Sequence, residues 1–100
     1  MLITIKYTRP STNIPWWTTI MPLEIKDHYQ VTYLTPGHLI EESFIESQDE
    51  FELTHIGHWS GNPEILTMFL DDPVINAWKG IRAQYCSENG ILVGEAVVVE

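Results

Sequence analysis

The first residues alternate. From Leu2 to Thr8 (LITIKYT) apolar and polar side chains switch places and several are β-branched, which is the period-two pattern of a pleated strand. Arg9-Pro10 ends it. The following STNIPWW combines Ser, Thr and Asn with Pro15, a turn-forming composition that lays Trp16 and Trp17 against the rest of the molecule as part of a loop. From Pro22 onward, Ile25, His28/Tyr29 and Thr32/Tyr33 recur at helical spacing, with Pro22 in the first turn and Pro36-Gly37 beyond the end. Val31-Thr-Tyr-Leu34 also has strand propensity, so the end of this segment stands between a helix and a short strand.

His38–Ser47 and Phe51–Ser60 are two alternating runs on either side of Gln48-Asp49-Glu50, the arrangement of an antiparallel hairpin with a tight polar turn. In its second strand Phe51, Leu53, His55, Gly57 and Trp59 share one face, while Glu52, Thr54, Ile56, His58 and Ser60 share the other. Gly61-Asn62-Pro63 then starts a helix, Asn62 capping it and Pro63 occupying the first helical position; Asp72-Pro73 repeats the device. Val74, Trp78, Ile81 and Tyr85 predict the apolar stripe of the second helix, which Asn89-Gly90 closes. Ile91–Glu100 reads as a final strand, with Val93, Val97 and Val99 on one side and Leu92, Ala96 and Val98 on the other.

The order β, α, β, β, α, β predicts one α+β domain over residues 1–100. Its arrangement is the ferredoxin-like split βαβ, a four-stranded antiparallel sheet with helices on one face. Neither side of the last strand is plainly polar, and helices cover only one sheet face. A broad uncovered apolar face marks an interface, so two such sheets are expected to pack face to face in a homodimer.

Composition narrows the partners. Fourteen acidic against five basic residues give a formal charge of −9, a field that repels nucleic-acid phosphates and anionic lipid surfaces. Neither nucleic acid nor membrane is expected as a partner. The acids of the hairpin, Glu41, Glu42, Glu46, Asp49, Glu50 and Glu52, read as a solvated face and turn rather than a phosphate mimic. A charged, polar N-terminal stretch and the lack of any apolar run of about 18 residues point to a cytoplasmic protein. Cys86 is the single cysteine, which excludes an internal disulfide and cysteine-rich metal frameworks; its place in a helical pattern favours a buried small hydrophobe over a reactive thiol. His55 and His58, three apart on a strand, point to opposite faces, so no metal site is expected from them.

Residues 51–73, FELTHIGHWSGNPEILTMFLDDP, are similar to the strand ending in Trp, and the capped helix after it, of the dimeric α+β barrel superfamily, which includes the antibiotic-biosynthesis-monooxygenase-like proteins. With the terminal strand the resemblance covers nearly the whole chain. It implies a homodimer of ferredoxin-like subunits, but a superfamily with haem-degrading, cofactor-free oxygenase, lyase and isomerase members does not imply one activity. The haem-degrading members carry a ligand His on the helix after the hairpin, where residues 63–88 have none, so neither haem nor another cofactor is carried over. The opening YTRPSTNIPWW, with DDP and NGI further on, also resembles small marine cyanophage proteins, which imply no known activity.

In the fold so implied, the inner sheet face and first helix line a pocket. The candidates for it are His55 and Trp59 from the hairpin, His28, Tyr29 and Tyr33 from the first helix, and Trp16 and Trp17 from the loop. His55 or His28 beside aromatic rings can orient or deprotonate a phenol-like or carbonyl substrate without a cofactor, and the rings suit a small apolar ligand such as a fatty acid or polyketide. The competing reading makes the histidines partly buried structural groups and the rings core or dimer anchor. A second class of function, a non-catalytic acidic module of viral type that binds another protein, uses the acidic surface or the aromatic loop. No glycine-rich phosphate loop, HExxH or GxSxG motif is present.

Overall fold

A computed structural model describes all residues, 1–100. The hairpin forms as its alternation predicts: β2 (Leu39–Glu46) and β3 (Glu52–Trp59) pair antiparallel, with Phe44 opposite His55 and Glu42 opposite Gly57. The turn between them is closed by Asp49, whose carboxylate accepts from the Ser47 hydroxyl and the Phe51 amide at 2.7 and 3.1 Å. Strand β1 (Leu2–Thr8) pairs antiparallel with β3 along its full length, Ile5 facing His55. The Met1 carbonyl accepts from the Trp59 amide at 2.7 Å and adds one rung to that ladder.

The last strand is broken in two. Both β4 (Leu92–Val93) and β5 (Val97–Val99) pair with the free edge of β1, giving an antiparallel sheet in the order β2-β3-β1-β4, with β5 beside β4 along β1. Tyr7 faces Val93 and Thr4 faces Val97, so Gly94, Glu95 and Ala96 stand against only Lys6 and Ile5. That extra residue is a bulge, and it reverses the alternation. Val93 therefore falls on the face of Val98, and Leu92 on the face of Val97 and Val99, which corrects the grouping expected for an unbroken strand. Gly94 permits the crossover because a side chain there would sit 3.1 Å from the Lys6 carbonyl oxygen, to which its amide donates at 2.8 Å.

Helix α1 (Leu23–Tyr29) runs into a wide π turn over Gln30–Leu34, so the alternative at residues 31–34 resolves in favour of helix. Packing decides it: Tyr33 is fully buried, which a strand leading out of the domain would not achieve. Helix α2 (Pro63–Leu70) is capped by Asn62, and α3 (Pro73–Glu88) by Asp72, with the two prolines at the first helical positions as their spacing predicts. At the far end of α3, Gly90 takes φ 69°, while the Ile91 amide reaches the Cys86 carbonyl at 2.8 Å and the Gly90 amide reaches Ser87 at 3.4 Å. These bonds satisfy carbonyls that the helix leaves open. The stripe of α3 that enters the core is Ile75, Trp78 and Cys86. Val74 and Ile81, expected there, are exposed.

The core lies between the helices and one face of the sheet, built around fully buried Tyr7, Trp17 and Trp78. Trp17 starts a short 3₁₀ turn, Trp17–Ile20, and meets Tyr7 at 5.1 Å and Trp78 at 6.2 Å between ring centroids. No helix covers the opposite sheet face, where Leu92, Val97 and Val99 remain 70, 57 and 55% exposed. No helix is long and apolar enough to cross a membrane.

Candidate functional site

Helices α2 and α3 stand off the sheet far enough to leave a cavity of about 400 Å³, and eleven of its sixteen lining residues are hydrophobic. The floor is the helix-facing side of the strands: Ile3 and Ile5 from β1, His55, Gly57 and Trp59 from β3, and Val98 from β5. Tyr29 closes one side, and Leu66 and Phe69 on α2 close another. A second cleft of about 430 Å³ meets the first at Tyr29 and Glu42, but half of its eight lining residues are polar. The first, more apolar space is the better match to a small-molecule site.

His55 reaches the cavity because it alternates inward with Leu53 and Gly57. Its ring stacks on Phe44, its cross-strand neighbour, with centroids 4.6 Å apart and planes within 13°. Trp17 supports it from behind at 5.6 Å. Glu42, diagonal to it on β2, brings a carboxylate oxygen to 3.5 Å from Nε2, a separation at the limit of a hydrogen bond. The pair is thus loosely joined, and both members line the cavity. A ring held by stacking at the cavity wall with a carboxylate beside it is the arrangement that moves protons.

Trp59 lies over Gly57, where a side chain would meet its Nε1 at 3.0 Å, so the glycine opens the floor that the indole then covers. The Tyr29 hydroxyl is held above its ordinary range mainly by burial, assisted by the Glu42 charge and opposed by that of Arg82. It stays a protonated donor at neutral pH.

His55, Tyr29 and Trp59 therefore come together at the cavity, whereas the other four expected residues do not line it. His28 donates through Nε2 to the Asp72 carboxylate at 2.6 Å, and its Nδ1 faces the Thr32 hydroxyl at 3.4 Å. Tyr33 donates to the same Asp72 oxygen at 2.6 Å. Asp72 also accepts from the Val74 and Ile75 amides at 2.9 and 3.4 Å as the cap of α3. Burial on its own raises the Asp72 pKa, but the bonds from His28, Tyr33 and the two amides outweigh it and hold the carboxyl below its ordinary value of 3.8. Trp17 is core. Trp16 packs against the Arg9 guanidinium at 4.4 Å and donates to Glu46 at 2.7 Å, which ties the loop to the hairpin. With both rings so engaged, the loop does not present an aromatic surface to a partner.

The three charged residues of the cavity fall outside the sequence expectation. Glu42 was read with the hairpin's solvated acids, yet the register across from Gly57 turns it inward. Lys79 and Arg82 belong to the inward stripe of α3, whose charged members a hydrophobicity pattern passes over. Cys86 is buried, and burial raises its thiol pKa above the usual range, which makes it a poor nucleophile.

No family model matches the chain, and no curated protein does. Among solved structures, a candidate antibiotic biosynthesis monooxygenase from Deinococcus radiodurans aligns with all of this chain and 93% of its own, at a TM-score of 0.60 and 10% identity. Rv0793 from Mycobacterium tuberculosis aligns with 99% of this chain and 94% of its own, at 0.45 and 14% identity. Atu4242 from Agrobacterium tumefaciens aligns with 100% and 92%, at 0.48 and 17% identity. The likeness to the Deinococcus protein is one of fold: this chain shares its ferredoxin-like α+β arrangement.

Proposed function

We propose that the chain, acting as one domain, binds a small apolar or aromatic molecule between its sheet and helices, and that His55 with Glu42 transfers protons there in cofactor-free oxygenase or isomerase chemistry. The observation that carries this reading is the apolar cavity of about 400 Å³ with the His55–Glu42 pair in its floor. Its concave, mostly apolar lining supports binding, since that is the character of small-molecule sites. Stacking on Phe44 supports proton transfer because it spares a bound molecule from having to order the imidazole. Trp59 and Tyr29 are the contacts for the ligand body; His28 serves the architecture beneath.

In the same reading the active form is a homodimer, its uncovered sheet faces meeting through Leu2, Ile45, Leu92, Val97 and Val99. Light scattering is expected to give twice the chain mass of 11.5 kDa. A monomer that persists at high concentration would remove the pairing.

Trp59 provides the binding assay. Tryptophan emission should change saturably on titration with hydroxylated naphthoquinones or medium-chain fatty acids, and native mass spectrometry of the purified protein should retain a ligand. His55→Gln should keep the binding and lose conversion of any molecule found to react. No saturable change with any of these compounds, and no retained ligand, would sink the proposal.

A further inference from the structure

The five bases of this acidic chain are unequally placed. Lys6 pairs with Glu52 at 3.7 Å, Arg9 pairs with Glu46 at 3.4 Å, and Lys26 is exposed. Lys79 and Arg82, three residues apart and hence neighbours on one face of α3, both reach the cavity wall, and neither forms an ion pair. Half-buried cations beside apolar walls are costly unless something compensates them.

Part of the compensation is aromatic. The Lys79 ammonium stands 4.9 Å from the Phe69 ring centroid and the Arg82 guanidinium 5.2 Å from that of Trp17. An aromatic face steadies a cation without consuming its N–H donors, so both side chains retain hydrogen bonds to give. Burial, reinforced by Arg82, pushes the Lys79 amine below its ordinary range, the sign of a cation lacking a counter-charge. Glu42 is the one carboxylate at the cavity and is shared with His55. Among the Lys, Arg, Asp and Glu side chains at the cavity two cations thus stand against one carboxylate, inside a chain of formal charge −9.

We infer that the ligand of this cavity is an apolar monocarboxylate, its head group held by Lys79 and Arg82 and its body lying against Ile3, Ile5, Leu39, Leu66 and Val98. A single negative charge neutralises the excess, and the guanidinium fork matches the two oxygens of a carboxylate. The acidic exterior repels anions at long range, so selection for the carboxylate acts at the cavity and not through steering. The inference rests on the binding proposed above and adds the chemistry of the head group.

The test is a pair of probes that differ only in the head, decanoate and decanol, titrated into the wild-type protein by calorimetry. Decanoate is expected to bind about tenfold or more tightly than decanol, the scale of one charge-assisted hydrogen bond. The preference should disappear in Lys79→Gln/Arg82→Gln. Equal binding of the two probes by the wild-type protein overturns the carboxylate assignment and leaves the apolar site standing. Binding of neither also overturns the carboxylate assignment, and the apolar site falls with it when the naphthoquinones fail to bind and no ligand is retained. Because the wild-type comparison needs no variant, the outcome does not depend on the double substitution folding.

Discussion

Two histidine–carboxylate pairs lie in this small domain, and they differ in how much of their bonding capacity is already used. At the junction of α1 and α3, His28 meets Asp72 at 2.6 Å, and the carboxylate also receives Tyr33 and two backbone amides. On the sheet floor, His55 meets Glu42 at 3.5 Å, with the cavity in front of both. The first pair is saturated and the second is not. A polar group with every bond filled by its own chain holds elements together, whereas one with a bond to spare can serve a ligand. Chemical identity is the same in both places, so the surroundings decide which pair is architecture and which is a site.

Breaking the saturated pair should have the largest effect. Asp72→Ala removes the α3 cap and leaves Tyr33, which is fully buried, without its acceptor. Loss of the cap and of a charge-assisted bond should together cost about 2–4 kcal/mol in urea unfolding at neutral pH. The pH dependence follows from the lowered Asp72 pKa. The carboxyl is easier to ionise folded than unfolded, so its contribution is full above its ordinary value of 3.8 and fades as pH falls through the depressed folded value. Asp72→Asn should therefore be less stable than wild type at pH 6, and the gap should narrow below pH 4. A gap that stays constant through this acid range would show that Asp72 is not the titrating partner.

His28→Ala should cost less, about 1–2 kcal/mol, because Asp72 keeps Tyr33 and both amides and the imidazole is 25% exposed. Ligand titrations should be unaffected, since His28 does not line the cavity. A smaller change still is expected from Gly57→Ala, where a new methyl group meets Trp59 Nε1 at 3.0 Å and the indole shifts by a few tenths of an ångström. The stability loss should be about 1 kcal/mol, read by thermal melting, while the narrower floor weakens binding at Trp59.

The contrast between the two pairs was only half legible in the residues. Local patterns carried most of the fold: the alternating runs around Gln48-Asp49-Glu50 became the hairpin, and Asn62-Pro63 and Asp72-Pro73 became helix starts. Alternation also pointed His55 and Trp59 inward. What escaped was set by contacts distant in sequence. Asp72 is recognisable as a cap, but not as the acceptor for residues about forty positions earlier. The stripe of α3 was read one position off because Trp78 and Tyr85 fit two overlapping stripes, and the one that folds inward contains Arg82 in place of Ile81. Gly94 was a usable signal, since an isolated glycine in a strand marks a bulge, and it would have corrected the faces of the last strand.

The least disruptive change is also the most informative. His55→Gln keeps a polar side chain of similar reach on β3 and removes only the stacked ring and its loose bond to Glu42. The 3.5 Å contact with Glu42 contributes little, and the lost stacking on Phe44 about 0.5–1 kcal/mol, so stability should move by about that amount, against the several-fold greater loss at Asp72. Binding of an apolar probe should also persist, because the walls of Ile3, Ile5 and Leu39 remain. Proton transfer is what the substitution removes, since an amide does not titrate near neutral pH. Parallel urea curves for His55→Gln, Asp72→Ala and the wild-type protein would check the order. If His55→Gln unfolds as readily as Asp72→Ala, then the sheet pair is as deeply built into the framework as the helix pair, and its bond to Glu42 is not free for chemistry.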